Sequence, residues 1–218
     1  LGIPVSGTHS HAFVQSYGGL DDLPDDTKVG DVDIKEAALH WRRVLGYDDH
    51  RVHDGELAAF VAYALAFPRG FVALVDTYST LETGLKNFVC VALALADAGF
   101  QALGVRIDSG DLAYLSRQAR LLFDTLAADH QAPCLKAVKI VASNDINESV
   151  LLSLKEQNHA VDVFGIGTHL VTCQAQPALG CVYKLVEIDN RPCIKLSNDI
   201  HKTTIPGAKT PFRLVSRD

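Results

Sequence analysis

Residues 104–112 read GVRIDSGDL. A run of strand-forming residues ends here in Arg106 and Asp108, with Asp111 following and two glycines framing the group. Charged side chains at the end of a buried strand cost free energy unless a partner or a ligand uses them. The same arrangement recurs on either side. GFVALVDT ends in Asp76, VKIVASND in Ser143, Asn144 and Asp145, and VDVFGIGT in Gly165, Gly167 and Thr168. Between these runs lie helical patterns: TGLKNFVCVALALADAG with Gly99 as its stop, and GDLAYLSRQARLLFDTLAAD with Leu112, Leu115, Ala119, Leu122 and Leu126 on one stripe. A third, NESVLLSLKEQN, has Asn147 as its N-cap. Short, continuously apolar strands alternating with helices predict a parallel sheet covered by helices.

GIPVSG near the start is a further candidate strand, which makes five in all, fewer than the eight of a closed barrel. The stretch GGLDDLPDDTKVGDVD, rich in Asp, Gly and Pro, reads as an irregular surface loop. IKEAALHWRRVLGY predicts a helix with Leu39, Trp41 and Leu45 toward the core, and ELAAFVAYALAF an apolar helix that Pro68 ends. After the glycine turn the pattern changes. CVYKLVEIDNRPCIKLS reads as an antiparallel hairpin turned at Asp189-Asn190. The expected division is therefore an α/β barrel core over 1–180 and a β-rich segment over 181–218 leading into a second domain.

A chain of 218 residues supports one substantial core. Its formal charge of −6 argues against a general nucleic-acid surface, and no apolar run reaches the roughly 18 residues of a membrane span. Five cysteines without Cys-x-x-Cys spacing predict buried reduced thiols rather than disulfides or a zinc knuckle. With no methionine and an opening Leu1, the chain is expected to be part of a longer polypeptide.

The hydrophilic residues gather at the C-terminal ends of successive strands: Thr8, His9 and His11, then Asp76, then Arg106 and Asp108, then Ser143 to Asp145, then Gly165 to Thr168. In parallel α/β folds that edge holds the ligand. Taken alone, Ser143 to Asp145 also read as a helix cap, and Arg106 with Asp108 as a structural ion pair. VFGIGTHL is a phosphate-cradle candidate, because glycines let backbone N–H groups approach an anion. The aspartates of DSGD suit ribose hydroxyls or a divalent metal on a diphosphate, and Arg106 a ligand carboxylate. GTHSHAFV has two readings: a His9/His11 metal pair of the amidohydrolase type, or a nucleophilic histidine that accepts a phosphoryl group. His169 is the one further ligand candidate. His40, His50, His53, His130, His159 and His201 are expected to be solvated.

Together, GTHSHAFV, VDTYSTLETG, GVRIDSGDL, SNDINE, VFGIGTHLVTC with QPALGCVYKLV, and IPGAKTPFRL resemble the nicotinate phosphoribosyltransferase family over nearly the whole chain. The resemblance implies an irregular, TIM-like α/β barrel of the type II phosphoribosyltransferases, incomplete in this chain. It implies an ATP-coupled, phosphohistidine enzyme that makes nicotinate mononucleotide from nicotinate and phosphoribosyl diphosphate, the entry to NAD salvage. Mg²⁺ would accompany ATP and phosphoribosyl diphosphate, and the full-length protein would be a cytoplasmic homodimer with no nucleic-acid or membrane partner. Carried over by position, His11 is the phosphohistidine and Asp76 its partner. Thr8 and Arg106 hold nicotinate. Asp108, Ser143, Asn144, Asp145, Gly165, Gly167 and Thr168 hold the phosphoribosyl group. The alternatives are the metal-dependent hydrolase and an inactive truncated relative.

Overall fold

A computed structural model describes residues 2–3, 6–47, 52–178 and 180–215. The chain divides into two compact units, Leu1–Gln174 and Ala175–Asp218.

In the first unit, α1 (His11–Gln15) is followed by a 3₁₀ turn at Leu20–Asp22 and a short hairpin of β1 (Lys28–Val29) and β2 (Val32–Asp33). The stretch expected as an irregular loop is thus partly ordered. Gly30 turns the hairpin at φ +63°, while Leu23 and Thr27 are buried. Asp33 then accepts from the backbone of Glu36 and caps α2 (Ile34–Val44). Leu39, Trp41 and Leu45 pack on the core as expected, but the fully buried positions are Ile34, Ala38 and Arg42. Arg42 can be buried because Asp54 pairs with it at 2.5 Å.

Helix α3 (Asp54–Ala66) is apolar all round and buried from Leu57 to Val61, and it ends two residues before Pro68. The regular part follows: β3 (Val72–Leu74), α4 (Leu85–Asp97), β4 (Gly104–Ile107), α5 (Leu112–Asp129), β5 (Lys139–Ala142), α6 (Glu148–Glu156), β6 (Val163–Phe164) and α7 (Thr168–Thr172). The four strands pair in parallel in the order β3-β4-β5-β6. Gly99 at φ +79° ends α4, and Asn147 accepts from the Val150 N–H at the start of α6, both as expected.

Leu74, Arg106, Val141 and Val163 share one row across the sheet. Because side chains alternate along a strand, the neighbouring positions Ala73, Val105, Ile107, Ile140 and Ala142 face the other way, and all are buried in the main apolar cluster. One sheet face is therefore covered by core. The other carries Arg106 and opens into a cavity.

The sheet is mixed with helices as expected but does not close into a barrel. The expected strand GIPVSG falls partly on Pro4 and Val5, which lie outside the described residues, and its described neighbours form no strand. At this sheet edge two side chains take the place of a ladder. Thr8 Oγ1 donates to the Val72 carbonyl, and the Leu74 N–H donates to His9 Nε2 at 3.2 Å. Edge groups left unpaired would be costly when buried.

Three further expectations are corrected. Asp111 does not line the cavity with Asp108; it caps α5 by accepting from the Tyr114 N–H at 2.9 Å. His53 is not merely solvated: it caps α3 and stacks on Tyr78 with ring centroids 4.0 Å apart, and His159 meets the Phe164 ring edge-on. His50 lies outside the described residues. Cys90 is buried, but Cys173 and Cys181 are exposed, and all five thiols are free.

In the second unit, β7 (Glu187–Ile188) and β8 (Arg191–Pro192) form the expected hairpin. Asp189 and Asn190 both have positive φ, at +49° and +58°, as a two-residue turn that matches strand twist requires.

Candidate active site

The strand ends assemble the site. Asp76 follows β3 and is held by two donors from the turn after β4: the Asp108 N–H at 2.9 Å and Ser109 Oγ at 2.5 Å, both to Oδ2. Its side chain is only 2% exposed, and Oδ1 has no hydrogen-bond partner. That oxygen lies 4.0 Å from His11 Nε2, and Asp108 Oδ2 lies 4.0 Å from the same nitrogen. The opposite ring nitrogen, Nδ1, is 3.0 Å from Thr77 Oγ1. His11 is the first residue of α1, whose cap Ser10 accepts from the Phe13 N–H. The imidazole is thus held on one side by a hydroxyl and faces two carboxylates on the other.

Tight packing positions Asp76 and Thr77. They are followed by a π-helical turn, Thr80–Gly84, that runs into α4; the expected single helix from Thr83 is therefore two elements. A Cβ on Gly84 would sit 1.8 Å from the Val75 carbonyl oxygen, so only glycine lets the turn press against the end of β3. Beneath it, buried Glu56 accepts from Asn87 Nδ2 at 2.9 Å through Oε2, while its Oε1 has no hydrogen-bond partner. Burial pushes the Glu56 carboxyl up to about 7, an effect the bond from Asn87 reduces and the charge of Asp76 adds to.

Arg106 and Asp108 alternate onto the open face of the sheet. Arg106 Nη2 donates to Asp108 Oδ1 at 3.1 Å and its Nε to Ser143 Oγ at 2.8 Å, while Ser143 Oγ donates to Asp108 Oδ1 at 2.5 Å. The guanidinium is oriented by this triangle, with Nη1 left without a hydrogen bond among the described residues. Asn144 and Asp145 follow with φ of +98° and +47°, a conformation non-glycine residues adopt at a cost of order 1 kcal/mol or more and keep where surroundings impose it.

A cavity of about 650 Å³ opens over this face, a volume suited to a small-molecule ligand. Thr8 lines it from the sheet edge, Arg106 and Asp108 from β4, and Ser143, Asn144 and Asp145 from β5. Gly165, Gly167 and Thr168 complete it from β6. Gly165 packs closely, since an added Cβ would lie 3.4 Å from that of Ser143, whereas nothing lies within 4 Å at Gly167. His11 and Asp76 do not line the cavity; Asp108 joins them to it. All eleven residues expected in the site therefore belong to one continuous cluster.

His9 stands apart. Its ring packs among Phe13, Phe60 and Tyr63. Burial depresses its pKa to about 4, so it is neutral near pH 7. The donor at Leu74 makes Nε2 an acceptor, which leaves the proton on Nδ1, facing the Ser10 carbonyl at 3.4 Å. The His9/His11 metal pair does not form. His9 Nε2 is already engaged, and no group of three metal-binding side chains occurs among the described residues.

Sequence reasoning missed Thr77, Ser109 and Glu56. The first two sit inside quoted motifs, but their partners lie across the fold. No helix among the described residues is long and apolar enough to cross a membrane.

Comparisons with known proteins bear on this geometry. The model of the nicotinate phosphoribosyltransferase (NAPRTase) family matches residues 71–216. A nicotinate phosphoribosyltransferase of Dictyostelium discoideum is 52% identical over 98% of this chain and 37% of its own length. The Homo sapiens nicotinate phosphoribosyltransferase is 47% identical over 100% of this chain and 42% of its own length. The crystal structure of human nicotinic acid phosphoribosyltransferase superposes with a TM-score of 0.75 at 41% identity, covering 95% of this chain and 40% of that one. The chain spans about two-fifths of the length of the curated relatives it matches. It belongs to the nicotinate phosphoribosyltransferase family.

Proposed function

We propose that this chain supplies the phosphoribosyl and pyridine site of an enzyme that converts nicotinate and phosphoribosyl diphosphate into nicotinate mononucleotide and diphosphate, with ATP hydrolysis coupled through phosphorylated His11. The observation that carries this reading is the linkage of His11 to Arg106 through Asp108, which sets a nucleophilic imidazole beside a ligand cavity.

In this reading the free Nη1 edge of Arg106 receives the nicotinate carboxylate, with Thr8 beside it. Asp108 and Ser143 to Asp145 meet the ribose, and Gly165, Gly167 and Thr168 the 5-phosphate. The ring nitrogen attacks the anomeric carbon, the bond from that carbon to the diphosphate oxygen breaks, and the electron pair leaves with diphosphate. The pyridine nitrogen has no proton to lose, so the step needs alignment and charge stabilisation rather than a base. Mg²⁺ would be held chiefly by the phosphate oxygens of its substrate and by water, with Asp145 the cavity carboxylate free to join them, and would supply neutralisation of the leaving charge.

In the tautomer whose Nδ1–H points at Thr77 Oγ1, 3.0 Å away, His11 Nε2 keeps its lone pair and takes the γ-phosphoryl group of ATP as the bond to ADP breaks and ADP leaves. The phosphoryl group adds negative charge next to Asp76 and Asp108. Repulsion there gives the phosphorylated and free forms different affinities for a polyanionic substrate, which couples ATP hydrolysis to turnover. Residues 181–218 lead into a companion domain, and the full-length protein acts as a cytoplasmic homodimer.

The test is a chimera in which this chain replaces the matched segment of the Dictyostelium discoideum relative. Formation of nicotinate mononucleotide from nicotinate, ATP and phosphoribosyl diphosphate is expected. A folded chimera that binds neither ribose 5-phosphate nor nicotinate would overturn the reading.

A further inference from the structure

Between the end of β3 and the π-helical turn, the chain is held by side chains alone. Val75 donates its N–H to the Arg106 carbonyl, and backbone pairing resumes where the Ser79 carbonyl accepts from Thr83 and Gly84. Among the described residues, Asp76, Thr77 and Tyr78 make no backbone–backbone hydrogen bond. Asp76 is tied by Asp108 and Ser109, and Thr77 Oγ1 lies 3.0 Å from His11 Nδ1. Tyr78 is fixed differently: its ring lies nearly parallel to that of His53, at 14° and 4.0 Å between centroids. Tyr78 is 43% exposed, lies outside the apolar cluster, and its hydroxyl makes no hydrogen bond among the described residues. The stack, not core packing, is what holds it.

His53 is a rigid platform for that ring. Its Nδ1 accepts from the Glu56 N–H at 3.2 Å, and its carbonyl accepts from Asn87 Nδ2 at 3.1 Å. Asn87 is fully buried in the first turn of α4, and the same amide nitrogen reaches Glu56 Oε2 at 2.9 Å. His53 therefore cannot shift without uncapping α3 and depriving a buried amide of a partner. The route to the site has few links: Asn87 to His53, His53 to Tyr78, and one peptide bond to Thr77, whose hydroxyl meets His11. A group that acts in a reaction needs neighbours with locked rotamers, which helices supply better than loops. Here a helix cap lends its rigidity to a loop.

We propose that His53 and Tyr78 are positioning residues for His11. Their stack fixes the turn through residues 76–78, and with it the Thr77 hydroxyl that keeps the His11 proton on Nδ1 and leaves the Nε2 lone pair for phosphoryl transfer. The inference rests on the phosphohistidine reading above, and both residues act through Thr77. Without the stack, Thr77 is free to leave Nδ1. Asp76 and Asp108, whose carboxylates both face Nε2, then draw the proton to that nitrogen.

Nuclear magnetic resonance of the 218-residue chain with ¹⁵N-labelled histidine rings tests it. At about pH 8, where an ordinary histidine is neutral, the nitrogen shifts read the His11 tautomer, and His11→Gln assigns the signals. The Nδ1–H form is expected to predominate in the parent chain. Tyr78→Ala should raise the Nε2–H share several-fold, and Tyr78→Phe, which keeps the ring face, should restore the parent pattern. His53→Asn keeps a side chain able to cap α3 but has no ring, and it should match Tyr78→Ala. A merely structural loss would lower unfolding midpoints without moving the tautomer. Parent-like tautomers in Tyr78→Ala and His53→Asn would overturn the inference. So would a change in only one of them, or one that Tyr78→Phe shares; each of these results leaves the phosphohistidine reading standing. A parent chain in which Nε2 carries the proton would overturn Nε2 as the phosphoryl acceptor and the inference with it.

Discussion

Asp76 turns a buried carboxylate oxygen with no hydrogen-bond partner toward His11 Nε2, 4.0 Å away. The other oxygen is fixed by the Asp108 N–H and the Ser109 hydroxyl, so the carboxylate cannot rotate away without breaking both bonds. A buried, unpaired carboxylate oxygen is costly by itself. It gains a partner when the imidazole is protonated or the group between them carries positive charge.

Asp76→Asn keeps the shape and removes that charge. ATP-dependent labelling of His11 is expected to slow by about tenfold or more, the equivalent of roughly 1.4 kcal/mol on the barrier. His11→Ala should abolish the acid-labile label; label that persists in this variant would place the phosphohistidine elsewhere.

Arg106→Ala removes the cation from the cavity floor. A charge-assisted pair contributes about 1.5–3 kcal/mol, so the KM for nicotinate should rise roughly 10- to 100-fold while that for nicotinamide changes much less. Parallel kinetics with the two ring substrates decide it, and equal losses would remove Arg106 from the carboxylate. Ser143→Ala should give a smaller defect of the same kind, because Asp108 still orients Nη2.

Gly84→Ala and Gly167→Ala separate packing from binding. At Gly84 the new methyl would overlap the Val75 carbonyl, with no flexible side chain to yield. Urea unfolding should show a loss of about 3 kcal/mol or more, and Asp76 and Thr77 should be displaced with the strand end. At Gly167 there is open space, so stability should change by less than about 0.5 kcal/mol. Ribose 5-phosphate affinity should nevertheless drop, because the added methyl occupies the turn assigned to the phosphate.

Glu56 and His9 make stability depend on pH in opposite directions. Between 4.5 and about 7 the folded protein keeps the Glu56 proton that the unfolded chain has released, so this contribution is full below 4.5 and is lost as pH rises through about 7. Its size is on the order of 3 kcal/mol. Between about 4 and 6.5 the unfolded chain takes up a proton at His9 that the folded protein refuses, so this contribution is present above 6.5 and is lost as pH falls through about 4. Glu56→Gln should abolish the decline toward neutral pH and leave the acid-side loss from His9 visible. Denaturant midpoints of the two proteins, measured across the range, check it; parallel curves would mean Glu56 is ionised throughout.

Much of the architecture was legible along the chain because it rests on local rules. Strand and helix order follow from hydrophobic period, the stops at Gly99 and the cap at Asn147 from backbone requirements, and the Asp189-Asn190 hairpin from residues that tolerate positive φ. The positions of Asp76, Arg106, Asp108 and Ser143 were legible for a similar reason: a polar residue at the end of an apolar strand marks the ligand edge of a parallel sheet.

What the chain order left open were choices between chemically equivalent neighbours. Two histidines two residues apart look alike in sequence. The fold buries His9 against three aromatic rings and gives its nitrogen to a strand edge, and leaves His11 half-exposed between Thr77 and two carboxylates. Of the aspartates in DSGD, Asp108 enters the cavity and Asp111 caps a helix. Glu56 carries no local signature at all. Sequence by itself determined the elements, their order and the edge at which polar residues gather, since those depend on short-range periodicity and backbone preference. Tertiary structure alone decided which of those residues are charged, buried or free to meet a ligand, because burial and hydrogen-bond partners come from segments 30 to 65 residues away.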